Sequence, residues 1–150
     1  MKPTILIDRR EQRPWAFPAD TFDVQPATLA TGDYSLAGLQ DRVAIERKNL
    51  GDAVGTVIHD WLRFRKELNR LKTFDFAAIV IEADLSDVVE QRYESEANPN
   101  SVIGRFNSIL IDDGIPVLWW GSRKYCEPAV ARLFLMLAKR FAAEAVRDAA

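Results

Sequence analysis

The segment RVAIERKNLGDAV (42–54) runs three apolar residues, Val43, Ala44 and Ile45, straight into Glu46, Arg47 and Lys48. In a strand, alternate side chains share a face, so Glu46 and Lys48 project together while Arg47 points away. Twelve residues separate Asp33 from Glu46. A hairpin of a strand at 33–37 with one at 42–48 would bring these two carboxylates to one sheet end. Two carboxylates converging beside a lysine make sense with a divalent cation between them. Oxygen ligands suit Mg²⁺ or Mn²⁺, which keep waters for a substrate phosphate and a nucleophile. Lys48 could then orient or help deprotonate the attacking water and offset charge building on the phosphate. Without the ion the clustered carboxylates repel and their pKa values rise. An Asp-to-Glu-x-Lys spacing also describes a solvated ion pair at a strand end, and the spacing alone does not choose.

The elements that must position these residues follow from the apolar pattern. TILID (4–8) is a short apolar strand followed by a loop with Pro14 and Pro18. FDVQPATL (22–29) is a weaker strand that Pro26 confines to an edge or a bulge. Thr31 and Gly32 mark a turn, DYSLAG opens another strand, and RVAIERK follows. The period then changes: Leu50, Val54, Val57, Ile58, Trp61, Leu62, Leu68 and Leu71 predict one long amphipathic helix over 50–72. FAAIVIE (76–82) is a continuous apolar strand of the kind buried on both faces. A short acidic helix is expected at 84–92. A further helix is expected from Ser101 to Asp113, with Val102, Ile103, Phe106, Ile109 and Leu110 inward and Gly114 as its stop. Pro116 to Trp120 is the last strand, and a final helix runs from about Pro128 to Arg147. Early strands followed by strand–helix alternation predict an α/β fold, a mixed central sheet flanked by helices on both faces.

Composition bounds the rest. The chain has 150 residues, 48% of them apolar and 28% charged, which suits a single folded domain over 1–150. One cysteine, Cys126, and one histidine, His59, exclude a disulfide framework and argue against a zinc site. No apolar run approaches the roughly 20 residues of a membrane span, and a signal-peptide pattern is missing at the N-terminus. The expectation is a cytoplasmic protein, nucleoid-associated in a prokaryote and not secreted. A net charge of −2 offers no global attraction to nucleic acid, so binding must come from a local patch. One lies between Arg63 and Lys72, with five bases against Glu67. The stretch from Asp84 to Glu96 carries five acids against Arg92 and is expected to be a solubilising surface.

The order IDRRE (7–11), GDY (32–34) and IERKNLGD (45–52) resembles the XPF-type structure-specific endonucleases, a branch of the PD-(D/E)xK nuclease superfamily. RFRKELNRL (63–71), IVIE (79–82) and GIPVLWW (114–120) extend the resemblance over nearly the whole chain. Two positions depart from it: Leu62 stands where the family's helix motif has glycine, and Glu67 where it has glutamine. The resemblance implies a restriction-endonuclease-like core. It implies Asp33 and Glu46 as principal metal ligands, with Asp8 and Glu11 reaching the same Mg²⁺ or Mn²⁺ directly or through water. Lys48 would orient the attacking water. Arg47 would bind a flanking phosphate or pair with Asp52, and Arg10 would serve similarly. Each of Arg10, Arg47 and Asp52 is equally readable as a salt-bridge residue, and Asp52 also suits the first turn of a helix through the dipole.

Arg63, Arg65, Lys66, Arg70 and Lys72 could track the DNA backbone, each neutralised phosphate steepening the salt dependence, or form a solvated helix surface. The final helix, with Leu133, Phe134, Leu135, Met136 and Leu137 in succession, is apolar all round and calls for cover on more than one side. A homodimer through it is the expectation. The chain shows no helicase part and no tandem helix-hairpin-helix segment, so either a stand-alone nuclease domain or a fragment of a longer chain is expected, and a separate DNA-binding or helicase partner could supply the DNA grip. The implied activity is metal-dependent hydrolysis of phosphodiester bonds in branched, forked or 3′-flap DNA. A junction resolvase, a duplex nickase and a non-catalytic DNA-binding partner subunit are the alternatives. Retention of every motif carboxylate and of Lys48 argues against the last.

Overall fold

The computed structural model describes residues 2–150. Its centre is a six-stranded mixed sheet in the order β2-β1-β3-β4-β5-β6. The strands are β1 (Thr4–Asp8), β2 (Asp23–Ala27), β3 (Tyr34–Leu36), β4 (Val43–Asn49), β5 (Phe76–Glu82) and β6 (Val117–Trp119). β3 runs antiparallel to its neighbours β1 and β4, whereas β2 pairs with β1, β5 with β4, and β6 with β5 in parallel. Pro26 sits on β2 at the sheet edge, where its missing N–H breaks no ladder. The α/β expectation of a mixed sheet flanked by helices is met.

Alternation along β4 and β5 divides the core. Val43, Ile45, Ala78 and Val80 face one layer, closed by α5 (Arg123–Ala149) through Cys126, Val130, Phe134, Leu137 and Phe141. Ala44, Ala77, Ile79 and Ile81 face the other, closed by α1 (Leu50–Ile58), α2 (Trp61–Leu71) and α4 (Pro99–Ser108). β5 is therefore buried on both sides, as its unbroken apolar run predicts. α3 (Leu85–Val89) follows it, opened by a capping box between Asp84 and Asp87.

Several expectations need correction. The predicted helix over 50–72 is two helices, α1 and α2, broken at His59 and Asp60, where both N–H groups return to the Gly55 carbonyl. The apolar period runs unbroken through Val54, Val57, Trp61, Phe64 and Leu68, so periodicity does not reveal the break. Weak helix formers from Thr56 to Asp60 mark it instead. Leu62, placed on the inner face, is 81% exposed, because α2 turns on a new axis. Residues Ile109–Asp113 form a π-helical turn that Gly114 ends in a left-handed conformation. The wider turn rotates Leu110 into solvent while Ile109 stays buried. α5 begins at Arg123 rather than near Pro128. It buries Phe134 and Leu137 on its own sheet and leaves Met136 58% exposed, so it is amphipathic rather than apolar all round. Among the described residues no helix is long and apolar enough to cross a membrane.

Candidate active site

The site forms where β1 and β4 end and β3 begins. The Gly32-Asp33 turn is drawn tightly onto β4: the Asp33 N–H donates to the Ile45 carbonyl at 2.8 Å, and the Asp33 carbonyl accepts the Asp8 N–H at 2.9 Å. Gly32 has φ +81°, and a Cβ there would lie 2.9 Å from the Ala44 Cβ. Only glycine meets both the left-handed backbone and the close approach. The turn holds Asp33 above β4, where its Oδ2 accepts the Arg47 N–H at 2.7 Å.

The β4 alternation predicted from sequence is observed. Glu46 and Lys48 share the α1–α2 side, with Lys48 Nζ 3.5 Å from Glu46 Oε1 and 5.0 Å from the Phe64 ring centroid. Glu46 is 6% exposed, and its Oε2 is buried with no hydrogen-bond partner. Burial and the charges of Asp33 and Glu67 raise the Glu46 carboxyl well above the usual range. Asp33 is raised from 3.8 to about 6, chiefly by burial. A buried carboxylate oxygen without a donor, beside a second carboxylate of raised pKa, is a position that a hard cation would satisfy. Asp33 and Glu46 are therefore the residues that could hold Mg²⁺ or Mn²⁺. Among the described residues no three histidine, cysteine or carboxylate side chains already stand at ligand spacing.

Arg47 occupies the opposite face and is fully engaged. Its guanidinium lies 4.6 Å from the Trp15 ring centroid, 3.2 Å from Glu11 Oε2 and 3.1 Å from Glu82 Oε1. It also donates to the Arg13 carbonyl at 2.7 Å. Trp15 Nε1 donates to Glu82 Oε1 at 2.7 Å, and Tyr34 Oη donates to Glu11 Oε2 at 2.8 Å. Arg47 thus pairs with Glu11 and Glu82 rather than with Asp52. Asp52 instead lies in the first turn of α1, where its N–H donates to Asn49 Oδ1 at 2.8 Å. A polar cleft of about 350 Å³ opens here, lined by Glu11, Arg13, Arg47, Asp52, Glu82 and Arg123 among others. A larger hollow of about 680 Å³ lies between α1 and α4 around Val57, Trp61 and Arg105, away from the carboxylates.

Asp8 is placed differently from what the resemblance implies. At 3% exposed, its carboxylate accepts the N–H groups of Arg10 and Leu29, both at 2.9 Å, and Arg10 Nε and Nη2 at 2.7 and 3.1 Å. The Arg10 guanidinium holds its pKa down to about 2. Four donors fill both oxygens, so Asp8 pins the end of β1 to the loop at Leu29, and Arg10 is committed to that pin. Asp8→Ala is expected to cost about 2 kcal/mol in a urea titration at pH 7, because it strands the buried Leu29 N–H and frees the partly buried Arg10 N–H. The depressed pKa places this stabilisation above pH 4 and removes it as pH falls through 2. Equal stability of variant and native chain at pH 7 would sink this assignment.

The basic face also divides. Arg65 is bound bidentately to the buried Asp113 at 2.6 and 2.7 Å, and Lys72 lies 3.7 Å from the same carboxylate. Both serve the fold. Arg63, Lys66 and Arg70, at i, i+3 and i+7, remain as an exposed stripe. Arg70 Nε donates to Thr31 Oγ1 at 3.2 Å, which brings this stripe to the Gly32-Asp33 turn. Sequence reasoning missed Trp15, Tyr34, Glu82 and Glu67 as neighbours of the site. Glu67 had a signal, being the lone acid in the basic segment.

Solved structures share this fold. XPF from Aeropyrum pernix superposes with a TM-score of 0.70 at 22% identity, covering 97% of this chain and 69% of that one. The same protein in complex with DNA gives 0.71 at 22% identity, covering 93% and 66%. A Methanocaldococcus jannaschii protein named as an ATP-dependent RNA helicase is 29% identical over 115 residues, which are 77% of this chain and 13% of that protein. The chain therefore spans about an eighth of its curated relative. Residues 7–127, from the end of β1 through the first turns of α5, match the ERCC4 domain, and the chain belongs to that family.

Proposed function

We propose that the chain is a metal-dependent DNA endonuclease acting on branched, forked or 3′-flap DNA. The observation that carries this reading is the buried, unpartnered Glu46 Oε2 beside Asp33 and Lys48 at one sheet end. Asp33 and Glu46 hold the divalent cation, Mg²⁺ or Mn²⁺. The chemistry such an ion supplies is polarisation of a phosphoryl oxygen. Lys48, held beside Glu46, orients the attacking water and offsets negative charge as it builds on the phosphate. Arg63, Lys66 and Arg70 lead the phosphate backbone toward the Asp33 turn, which gives DNA binding a steep salt dependence. The A. pernix relative was solved in complex with DNA, and the same class of partner is assigned here. The structure of a branch, rather than base sequence, is what such phosphate contacts read.

The test is cleavage of end-labelled duplex, fork, 3′-flap and four-way junction DNA with Mg²⁺ or Mn²⁺, native chain against Asp33→Ala. Metal-dependent cutting of forks or flaps that vanishes in the variant supports the reading. Cutting confined to junctions or to plain duplex replaces it with a resolvase or a nickase. Binding without cutting on every substrate leaves a non-catalytic DNA binder.

A further inference from the structure

A third carboxylate faces the Asp33–Glu46 pair from α2. Glu67 lies three residues after the buried Phe64 and next to the buried Leu68, so its backbone is fixed against the sheet. Neighbours on both sides of it along α2 meet the strand ends. The Phe64 ring underlies the Lys48 ammonium at 5.0 Å, and Arg70 reaches Thr31 at 3.2 Å. Between them Glu67 comes within hydrogen-bonding reach of the Glu46 carboxylate. Arg63 and Arg70 stand at i−4 and i+3 from Glu67, the positions from which a helix ordinarily pairs a base with an acid. Among the described residues neither forms that pair: Arg63 turns to Asp60 and Arg70 to Thr31. Glu67 lies instead beside the Glu46 carboxylate, whose Oε2 is buried with no donor. Three acids gathered around one lysine leave an excess of negative charge that a divalent cation would neutralise.

We propose that Glu67 is a third carboxylate of this site, through which the protein loads a divalent cation before DNA arrives. The inference rests on the assignment of Asp33 and Glu46 as metal-holding residues under the proposed function. With one or two carboxylates, a Mg²⁺-type ion depends on substrate phosphate to complete its shell. A third removes that dependence. The three do not stand at ligand spacing as they are, so loading draws the half-exposed Glu67 side chain inward.

The experiment is titration of Mn²⁺ into the full chain without DNA, with free Mn²⁺ followed by electron paramagnetic resonance. The native chain is expected to bind, and Glu67→Gln to weaken that binding by roughly tenfold or more. Thermal melting of each variant checks that it is folded. Equal Mn²⁺ affinity in Glu67→Gln, with binding lost in Asp33→Asn, overturns the role of Glu67 and leaves the nuclease reading intact. A native chain that binds no Mn²⁺ without DNA yet cuts DNA with it overturns preloading alone. A native chain that neither binds nor cuts overturns both.

Discussion

Glu46→Gln is expected to cut no DNA and yet to melt at a higher temperature than the native chain in EDTA at pH 8. The native carboxylate is buried, shares its surroundings with Asp33 and Glu67, and leaves Oε2 without a donor. An amide at this position carries no charge and provides an N–H₂ that can donate to Glu67. The cost being relieved depends on pH. Burial raises Asp33 from 3.8 to about 6, so folding favours its protonated form. The corresponding stability is full below pH 4 and is lost as pH rises through 6, by roughly 3 kcal/mol for Asp33 alone. Glu46 shifts in the same direction for the same reasons. The gain in Glu46→Gln should therefore be on the order of 5 °C at pH 8 and should shrink at pH 5. The loss of activity is far larger. Removing a group that holds a charge-stabilising cation forfeits several kcal/mol of barrier reduction, roughly a thousandfold in rate. A variant that is less stable than the native chain and still cuts DNA would remove both the metal reading and the electrostatic account of the site.

Arg47→Ala is expected to be the most destabilising single change near the site, at about 3–5 kcal/mol, the usual loss when one partner of a buried ion pair is removed. It leaves Glu11 and Glu82, each 18% exposed, facing one another without a cation. It also uncovers the Trp15 ring and frees the Arg13 carbonyl. Arg47→Lys should recover only part of the loss, since an ammonium cannot bridge both carboxylates and stack on the indole at once. A urea titration reads this as a lower midpoint with an unchanged slope. A shift below about 1 kcal/mol would place Arg47 among ordinary surface ion pairs. Because the Arg47 backbone N–H, not its side chain, holds Asp33, the variant's carboxylate pair should stay in place while the fold around it weakens.

The sequence by itself determined the strand pattern, the tight Gly32-Asp33 turn and the division of β4 into a Glu46–Lys48 face and an Arg47 face. These are local properties: alternation follows from the backbone of one strand, and the turn from the backbone freedom of one glycine. The paired placement of Asp33 over Glu46 was also legible, because a hairpin links two segments that are close in the chain. The tertiary structure alone decided which partners each side chain meets. Asp8 reads in sequence as one more carboxylate of the motif, but Leu29, reached across an intervening loop and strand, fills its remaining oxygen. For Arg47 the sequence leaves a flanking phosphate or Asp52, five residues away, as partner, and the side chain turns to Glu11 and Glu82, each at least thirty-five residues distant. The break at His59–Asp60 was hidden for a related reason, since the apolar period continues through it and only the docking of α2 on the sheet requires a new axis. That docking brings Glu67 to Glu46. Helical spacing orders residues along one face but carries no information about which strand end that face will cover.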